Sequence, residues 1–338
     1  MKALIIQKPG EITVGGAAEP GSRHGEVLLR VRMIGLCGSD LNTYRGKNPM
    51  VSFPRIPGHE IAATVEEVQD PASELRPGMN VTLSPYTSCG QCASCLRGRF
   101  NACKSNQTLG VQRDGALTDL ISVPAAKIFP AEGLNLEELC IVEPLTVGFH
   151  AVARGRVTNK DTVAIFGCGG VGLGAIAASA FRNAKTIAVD VDDAKLQIAR
   201  QAGAHHTINT RTEPLHDKLL ELSEGLGPDV VIEAIGLPAT FTSAVEEVAF
   251  TGRVVYIGYA KDLVTYETRL FVQKELDILG SRNALPEDFG EVIRMLQQHR
   301  FPVKSAITKV VPFDQAPAAF VDWSENPAGI SKIMIRVN

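Results

Sequence analysis

Four of the seven cysteines in this 338-residue chain, Cys89, Cys92, Cys95 and Cys103, fall within fifteen residues. Thiolates this closely spaced on a Gly- and Ser-bearing loop can close around one tetrahedral ion, and four sulfurs leave no open coordination position, so such a site serves structure. The opening Met1–Lys8 is too short in apolar residues for an export signal, and in a chain without one this spacing favours metal over disulfides. Four cysteines alone leave both zinc and an iron–sulfur cluster open. A second set of donors is dispersed: Cys37 after MIGL, His59 and Glu60 in PGHE, and Glu143 in VEPL. Singly these read as a buried thiol, a capped histidine and solvated carboxylates.

Residues 167–172 read Gly-Cys-Gly-Gly-Val-Gly, follow the apolar run TVAIF and open an apolar helical pattern, and Asp190 lies 23 residues after Gly167. That context turns a common glycine pattern into a dinucleotide fingerprint. Gly167 makes the tight turn, Gly169 lets the backbone approach a pyrophosphate, Gly170 and Val171 open the helix whose N-terminus attracts the anion, and Gly172 packs that helix on the sheet. Asp190 is placed to accept from the adenosine ribose hydroxyls. A 2′-phosphate there would meet Asp190, Asp192 and Asp193 with no arginine immediately following, so the cofactor expected is NAD.

Two kinds of element must position these groups. Before about residue 148, short strand candidates (26–34, 58–68, 79–83) alternate with breakers at Pro71, Pro77-Gly78 and Pro85, which implies a β-rich barrel or sandwich. After it, apolar strands at 163–166, 186–189, 230–232, 254–257 and 278–279 alternate with helical patterns such as 193–202 and 239–249, the rhythm of a doubly wound parallel sheet. The twenty uncharged residues from Thr162 to Phe181 mimic a membrane span in length, but five glycines crowd them and strand–turn–helix is the better reading. A net charge of −3 without a basic block excludes a typical nucleic-acid binder, and 45% hydrophobic with 21% charged residues excludes a disordered chain. A cytoplasmic protein is expected.

In order along the chain, GLCGSD, PGHE, the clustered cysteines, VEPLTVGFHA and GCGGVG resemble the zinc-containing medium-chain dehydrogenases, nearest their polyol, threonine and sugar-acid branch. The resemblance implies a GroES-like catalytic domain from residues 1–148 and 283–338, with a Rossmann NAD-binding domain, 149–282, inserted between them. It implies one structural zinc at Cys89, Cys92, Cys95 and Cys103, and one catalytic zinc at Cys37, His59, Glu60 and Glu143. An acid stands at Glu143 where simple alcohol dehydrogenases of the family usually carry cysteine, as in sorbitol-type enzymes. One thiolate, one neutral imidazole and one carboxylate cancel the +2 of zinc, so Glu60 and Glu143 are not expected to bind together throughout. Ser39 matches the family's proton-relay hydroxyl, and Val147 and Gly258 join the candidate cofactor contacts. The partner expected is a polyhydroxylated small molecule, and the protein itself a homo-oligomer, dimer or tetramer.

The segment from Leu41 to His59 contains Arg45, Lys47 and Arg55 and no acid, which is either solvated surface charge or an electropositive mouth for a carboxylate. Further on, GSRN (280–283) followed by PEDF (286–289) resembles bacterial oxidoreductases of L-galactonate or L-gulonate, with Arg282 near cofactor or substrate. His150 is expected to be a helix residue near the cofactor.

Overall fold

The structure, a computed structural model, describes every residue except 22, 70–72, 328 and 338, so Pro71 lies outside the described residues. The chain forms two compact units, Met1–Glu143 with Ala306–Asn338, and Pro144–Ser305. Strands β1 (Lys2–Lys8), β2 (Glu11–Gly16), β3 (Glu26–Leu36), β4 (Glu60–Val68), β5 (Asn80–Leu83), β6 (Leu120–Pro124) and β7 (Ile128–Pro130) belong to the first unit. The second carries β8 (Thr162–Phe166), β9 (Lys185–Asp190), β10 (His206–Asn209), β11 (Val230–Glu233), β12 (Arg253–Tyr256) and β13 (Asp277–Gly280). The chain then returns to the first unit with β14 (Lys309–Pro312) and β15 (Ile333–Arg336).

In the first unit β1 and β2 pair as a hairpin, and the larger sheet runs β14-β15-β3-β4-β5-β7, with β6 also on β3. The central strand β3 alternates, putting Val27, Leu29, Val31 and Met33 inside, and becomes wholly buried from Met33 to Leu36. It can do so because β15 and β4 flank it there, pairing Gly35 with Met334 on one side and with Glu60 on the other. The core gathers Leu4, Ile6, Leu29, Ile61 and Leu83 with Phe320 and Trp323 from helix Ala316–Glu325. Both chain ends therefore build one sheet and one core.

The second unit is a six-stranded sheet, β10-β9-β8-β11-β12-β13, with every pairing parallel. Strands such as Ala164–Phe166 and Val230–Glu233 are buried at every position, which suits a sheet covered on both faces. Chain order reverses between β8 and β11, making their carboxyl ends the switch point where ligands bind in such sheets. The register puts Phe166 beside Glu233 and Glu233 beside Tyr256, so these ends form one row. The uncharged stretch is β8 followed by helix Gly170–Phe181, and among the described residues no helix is long and apolar enough to cross a membrane.

The helix expected at His150 reaches much further back than GFHA. VEPLTVGFHA lies in a helix, Leu136–Arg154, with Pro144 inside it. An interior proline costs about 3 kcal/mol. Leu139, Cys140, Val142, Leu145, Phe149 and Val152 of the same helix are almost fully buried, and each large apolar side chain returns about 1.5–3 kcal/mol. Burial outweighs the proline.

Candidate functional site

The Cys89, Cys92, Cys95 and Cys103 sulfurs all lie within 4.8 Å of one another. Glycines in the left-handed region, Gly90 (φ 73°) and Gly98 (φ 72°), turn the chain on either side of the short helix Ala93–Leu96 and fold the four thiols inward. Cys92 Sγ is 3.5 Å from Cys95 Sγ and 3.8 Å from Cys103 Sγ. Tetrahedral zinc with 2.3 Å bonds to sulfur spaces its ligands about 3.8 Å apart, whereas a disulfide needs about 2.05 Å, so the set fits a metal. The Ser94 hydroxyl and the amides of Cys95 and Lys104 push the Cys92 thiol down to about 5, while burial and the neighbouring Cys92 push Cys95 up to about 11. At least one thiolate is thus ready at neutral pH.

The dispersed donors also converge. Cys37, the N-cap of helix Gly38–Tyr44 at the end of β3, meets His59 and Glu60 from the start of β4 with ligand atoms within 4.8 Å. Asp40, 1% exposed, joins the two segments: its carboxylate accepts from Cys37 N at 2.9 Å and Gly58 N at 3.4 Å, and lies 3.8 Å from His59 Nδ1. Burial disfavours a charged His59, but Asp40, Cys37 and Glu143 outweigh it and raise the imidazole well above its ordinary range. His59 Nδ1, buried and without a hydrogen-bond partner, is the ring nitrogen turned toward Asp40, which leaves Nε2 as the nitrogen that would meet a cation. Such carboxylates behind a histidine orient it for metal. Ser39, two residues after Cys37, also has a buried hydroxyl with no partner.

Glu60 is held by a residue the sequence reading missed. Lys332 Nζ lies 2.6 Å from both Glu60 carboxylate oxygens and 3.2 Å from Leu36 O, and its side chain is 7% exposed. The carboxylate reaches it by passing over Gly35 on the strand between them: a Cβ at Gly35 would stand 2.1 Å from Glu60 Oε2. Burial alone would lower the Lys332 ammonium, yet Glu60 and Cys37 raise it above its ordinary value. Glu143 stands beside the three-residue set rather than within its 4.8 Å spacing, bonded to the buried Tyr86 hydroxyl. Burial pushes its carboxyl up to about 6, against the pull of His59.

The cationic loop is mostly committed to the fold. Arg45 Nε donates to Ser324 Oγ at 3.1 Å, and its guanidinium also bonds Ser324 O near the end of helix Ala316–Glu325. Arg55 pairs with Asp114 at 2.9 Å and donates to Ser52 Oγ. Of the three cations only Lys47 is exposed.

In the second unit the fingerprint glycines have distinct physical reasons. A Cβ at Gly172 would lie 1.8 Å from Gly167 O, so nothing larger fits where the helix meets the turn. A Cβ at Gly169 would meet no atom within 4 Å, leaving exposed space at a helix N-terminus that has no side-chain cap. Such a cradle fits a pyrophosphate. Gly170 and Val171 are half-buried on that first turn. Asp190 Oδ2 accepts from Cys168 N at 2.8 Å and Oδ1 from Val191 N at 2.7 Å, so the carboxylate also braces the turn. Helix Leu136–Arg154 touches helix Gly170–Phe181 backbone to backbone: a Cβ at Gly148 would be 2.1 Å from Ala175 N, with half-buried Val147 alongside. His150 Nδ1 bonds Asp288 Oδ2 at 2.9 Å, both groups buried, tying GFHA to PEDF within this unit. Half-buried Gly258 follows β12, and half-buried Arg282 follows β13.

Comparison with known proteins agrees with both units. Residues 23–133 match the alcohol dehydrogenase GroES-like domain and residues 170–298 the zinc-binding dehydrogenase domain. The chain is 34% identical over 335 residues, 98% of each chain, to an uncharacterized zinc-type alcohol dehydrogenase-like protein of Haemophilus influenzae. It is 30% identical over 313 residues, 93% of this chain and 92% of the relative, to the L-galactonate-5-dehydrogenase of Escherichia coli. A solved Escherichia coli alcohol dehydrogenase in complex with NADH superposes with a TM-score of 0.92 at 28% identity, covering 100% of this chain and 99% of the other. With two thiolate-bearing donor sets in a GroES-like unit and a glycine-lined cradle on a parallel sheet, the chain belongs to the zinc-type medium-chain dehydrogenases, enzymes that act on CH–OH groups.

Proposed function

We propose that this protein oxidises a secondary hydroxyl of a polyhydroxylated substrate, a sugar acid in preference to a neutral polyol, and passes the hydride to NAD. The observation that carries the reading is the mixed sulfur, nitrogen and oxygen donor set of Cys37, His59 and Glu60, with the unpartnered Ser39 hydroxyl two residues on. Zinc held there supplies Lewis acidity that eases loss of the hydroxyl proton, and NAD supplies the hydride acceptor. Ser39 Oγ receives that proton and hands it on, since a buried hydroxyl without a partner has both a free lone pair and a proton to pass. Asp40 holds Cys37 and His59 in register. Glu143, braced by Tyr86, is the second carboxylate on call when Glu60 stays with Lys332.

In this reading the catalytic domain, expected from the sequence at 1–148 with 283–338, is the first unit, and the nucleotide domain, expected at 149–282, is the second, whose compact body runs Pro144–Ser305. Gly167, Gly169, Gly170, Val171 and Gly172 cradle the pyrophosphate, Asp190 binds the adenosine ribose, and Val147 and Gly258 border the cofactor. The cysteine set is the structural zinc site, and reduced thiols suit a cytoplasmic protein. The sugar-acid preference is supported by the similarity to an L-galactonate-5-dehydrogenase, by the carboxylate in the donor set and by Lys47 as an exposed cation.

The test is an initial-rate screen of the zinc-loaded protein over aldonates, polyols, threonine and short alcohols with NAD and NADP. An aldonate with NAD is expected to give the highest kcat/KM, and Asp190→Ala to narrow the preference over NADP, because the variant no longer repels the 2′-phosphate. Best turnover of sorbitol, threonine or a short alcohol defeats the substrate reading, and equal efficiency with both nucleotides defeats the cofactor reading.

We further propose a homo-oligomer built on β13, the edge strand of the parallel sheet, where Ile278 is 42% exposed and Val272 of the preceding helix 82%. Sedimentation of Ile278→Lys should move toward the monomer. A parent protein that sediments as a 36.2 kDa species rules the assembly out.

A further inference from the structure

The strand β11 ends on Glu233, which is 0% exposed. Its Oε1 accepts three hydrogen bonds, from Ile235 N at 2.9 Å, Gly236 N at 2.8 Å and Thr240 Oγ1 at 2.7 Å, and so ties the whole turn into helix Pro238–Glu247. Its Oε2 is buried with no partner. That second oxygen abuts the end of the neighbouring strand β12: a Cβ at Gly258 would lie 2.4 Å from Oε2 and 2.5 Å from Gly236 N. The backbone repeats the connection, with Ile257 N and Gly258 N donating to Glu233 O at 2.9 and 3.2 Å. On its other side the turn touches the fingerprint, since a Cβ at Gly167 would meet Ile235 Cγ1 at 2.7 Å. One carboxylate thus sets the spacing of three segments at the switch point.

The three hydrogen bonds to Oε1 serve the fold, but leaving Oε2 buried and unpaired costs stability, so the fold alone does not account for that second oxygen. Position does. Asp190 ends β9, the fingerprint follows β8, and β11 lies on the far side of β8 from β9. A dinucleotide with its adenosine ribose at Asp190 and its pyrophosphate at Gly169 therefore extends its nicotinamide half over the ends of β11 and β12.

We propose that Glu233 is a positioning residue for that half of the cofactor: it fixes the 234–240 turn against Gly258 in the placement the nicotinamide and its ribose need. This rests on the dinucleotide reading above. The test is fluorescence and calorimetric titration of NADH and of AMP, which lacks the nicotinamide half, into zinc-loaded parent, Glu233→Ala and Glu233→Gln proteins. With Glu233→Ala the Kd for NADH should rise about tenfold or more while that for AMP changes less than about twofold, because a misplaced wall costs only the group it faces. Glu233→Gln keeps a carbonyl acceptor for the three donors, and NADH affinity should return to within about threefold of the parent. Equal weakening of AMP and NADH, an unchanged NADH Kd, or a glutamine variant as weak as the alanine variant each overturns the proposal. A parent that binds AMP but not NADH overturns the dinucleotide reading itself, and the proposal falls with it.

Discussion

Cys37→Ser is expected to lower turnover by roughly a thousandfold or more while leaving the thermal midpoint within a few degrees of the parent. The thiolate is the donor that brings negative charge to the three-residue set without a buried cation competing for it as Lys332 does for Glu60, and His59 is neutral when it ligates. Losing the Lewis acid removes several kcal/mol of transition-state stabilisation, and each 1.36 kcal/mol is tenfold in rate. The fold should survive because Cys37 caps a short helix through its backbone and Asp40 braces the same segment. Elemental analysis should show about two zinc ions per parent chain and about one in the variant. Cys95→Ser should show the reverse pattern: one zinc lost, a lower midpoint and a smaller effect on rate, because its loop has no other core than the four sulfurs. Near-parental rates from a Cys37→Ser protein that has lost one zinc would falsify the assignment of that set as catalytic.

Lys332→Ala is expected to be among the most destabilising single changes in the first unit. It strands the Glu60 carboxylate, 1% exposed, without its cation, and breaking one side of a buried pair costs about 3–5 kcal/mol. For a unit of this size that corresponds to a fall of about 10 °C in the thermal midpoint. The double variant Lys332→Met with Glu60→Gln should recover most of the loss, since two neutral side chains leave no uncompensated charge, yet activity should not return with it. Calorimetry on metal-free and zinc-loaded protein measures both. A single variant within about 2 °C of the parent would mean that water or another group already compensates Glu60, and that Lys332 is not what holds the carboxylate beside the metal set.

These two residues differ in how they could be seen. Cys37 carries a local signal, a thiol two residues before a serine at a strand end, and its partners His59 and Glu60 are adjacent in sequence. Lys332 has none: it is 272 residues from Glu60, in a stretch that reads as an ordinary strand, and becomes a partner only because β15 lies beside β3 and Gly35 lets a side chain cross. The cationic loop left two readings open, solvated surface charge or a mouth for an anion, because no acid stands within its own segment. For Arg45 and Arg55 the structure gives neither, since Ser324 and Asp114 arrive from elsewhere in the chain. The helix across Pro144 escaped for a related reason, since a local penalty was overridden by burial that no window of sequence displays.

By itself the sequence determined what depends on short spacing and periodicity. The four cysteines within fifteen residues, the glycine pattern between an apolar strand and helix, and the βα rhythm that makes a parallel sheet are all properties of neighbours along the chain. Tertiary structure alone decided which charge meets which. It gave Glu60 to Lys332, Glu143 to Tyr86, Asp40 to the Cys37–His59 join, and left Glu233 Oε2 without a partner against Gly258. Backbone periodicity acts over a few residues, whereas the energy of a buried charge depends on every group within several ångströms, and those groups come from strands that are neighbours only after the chain has folded.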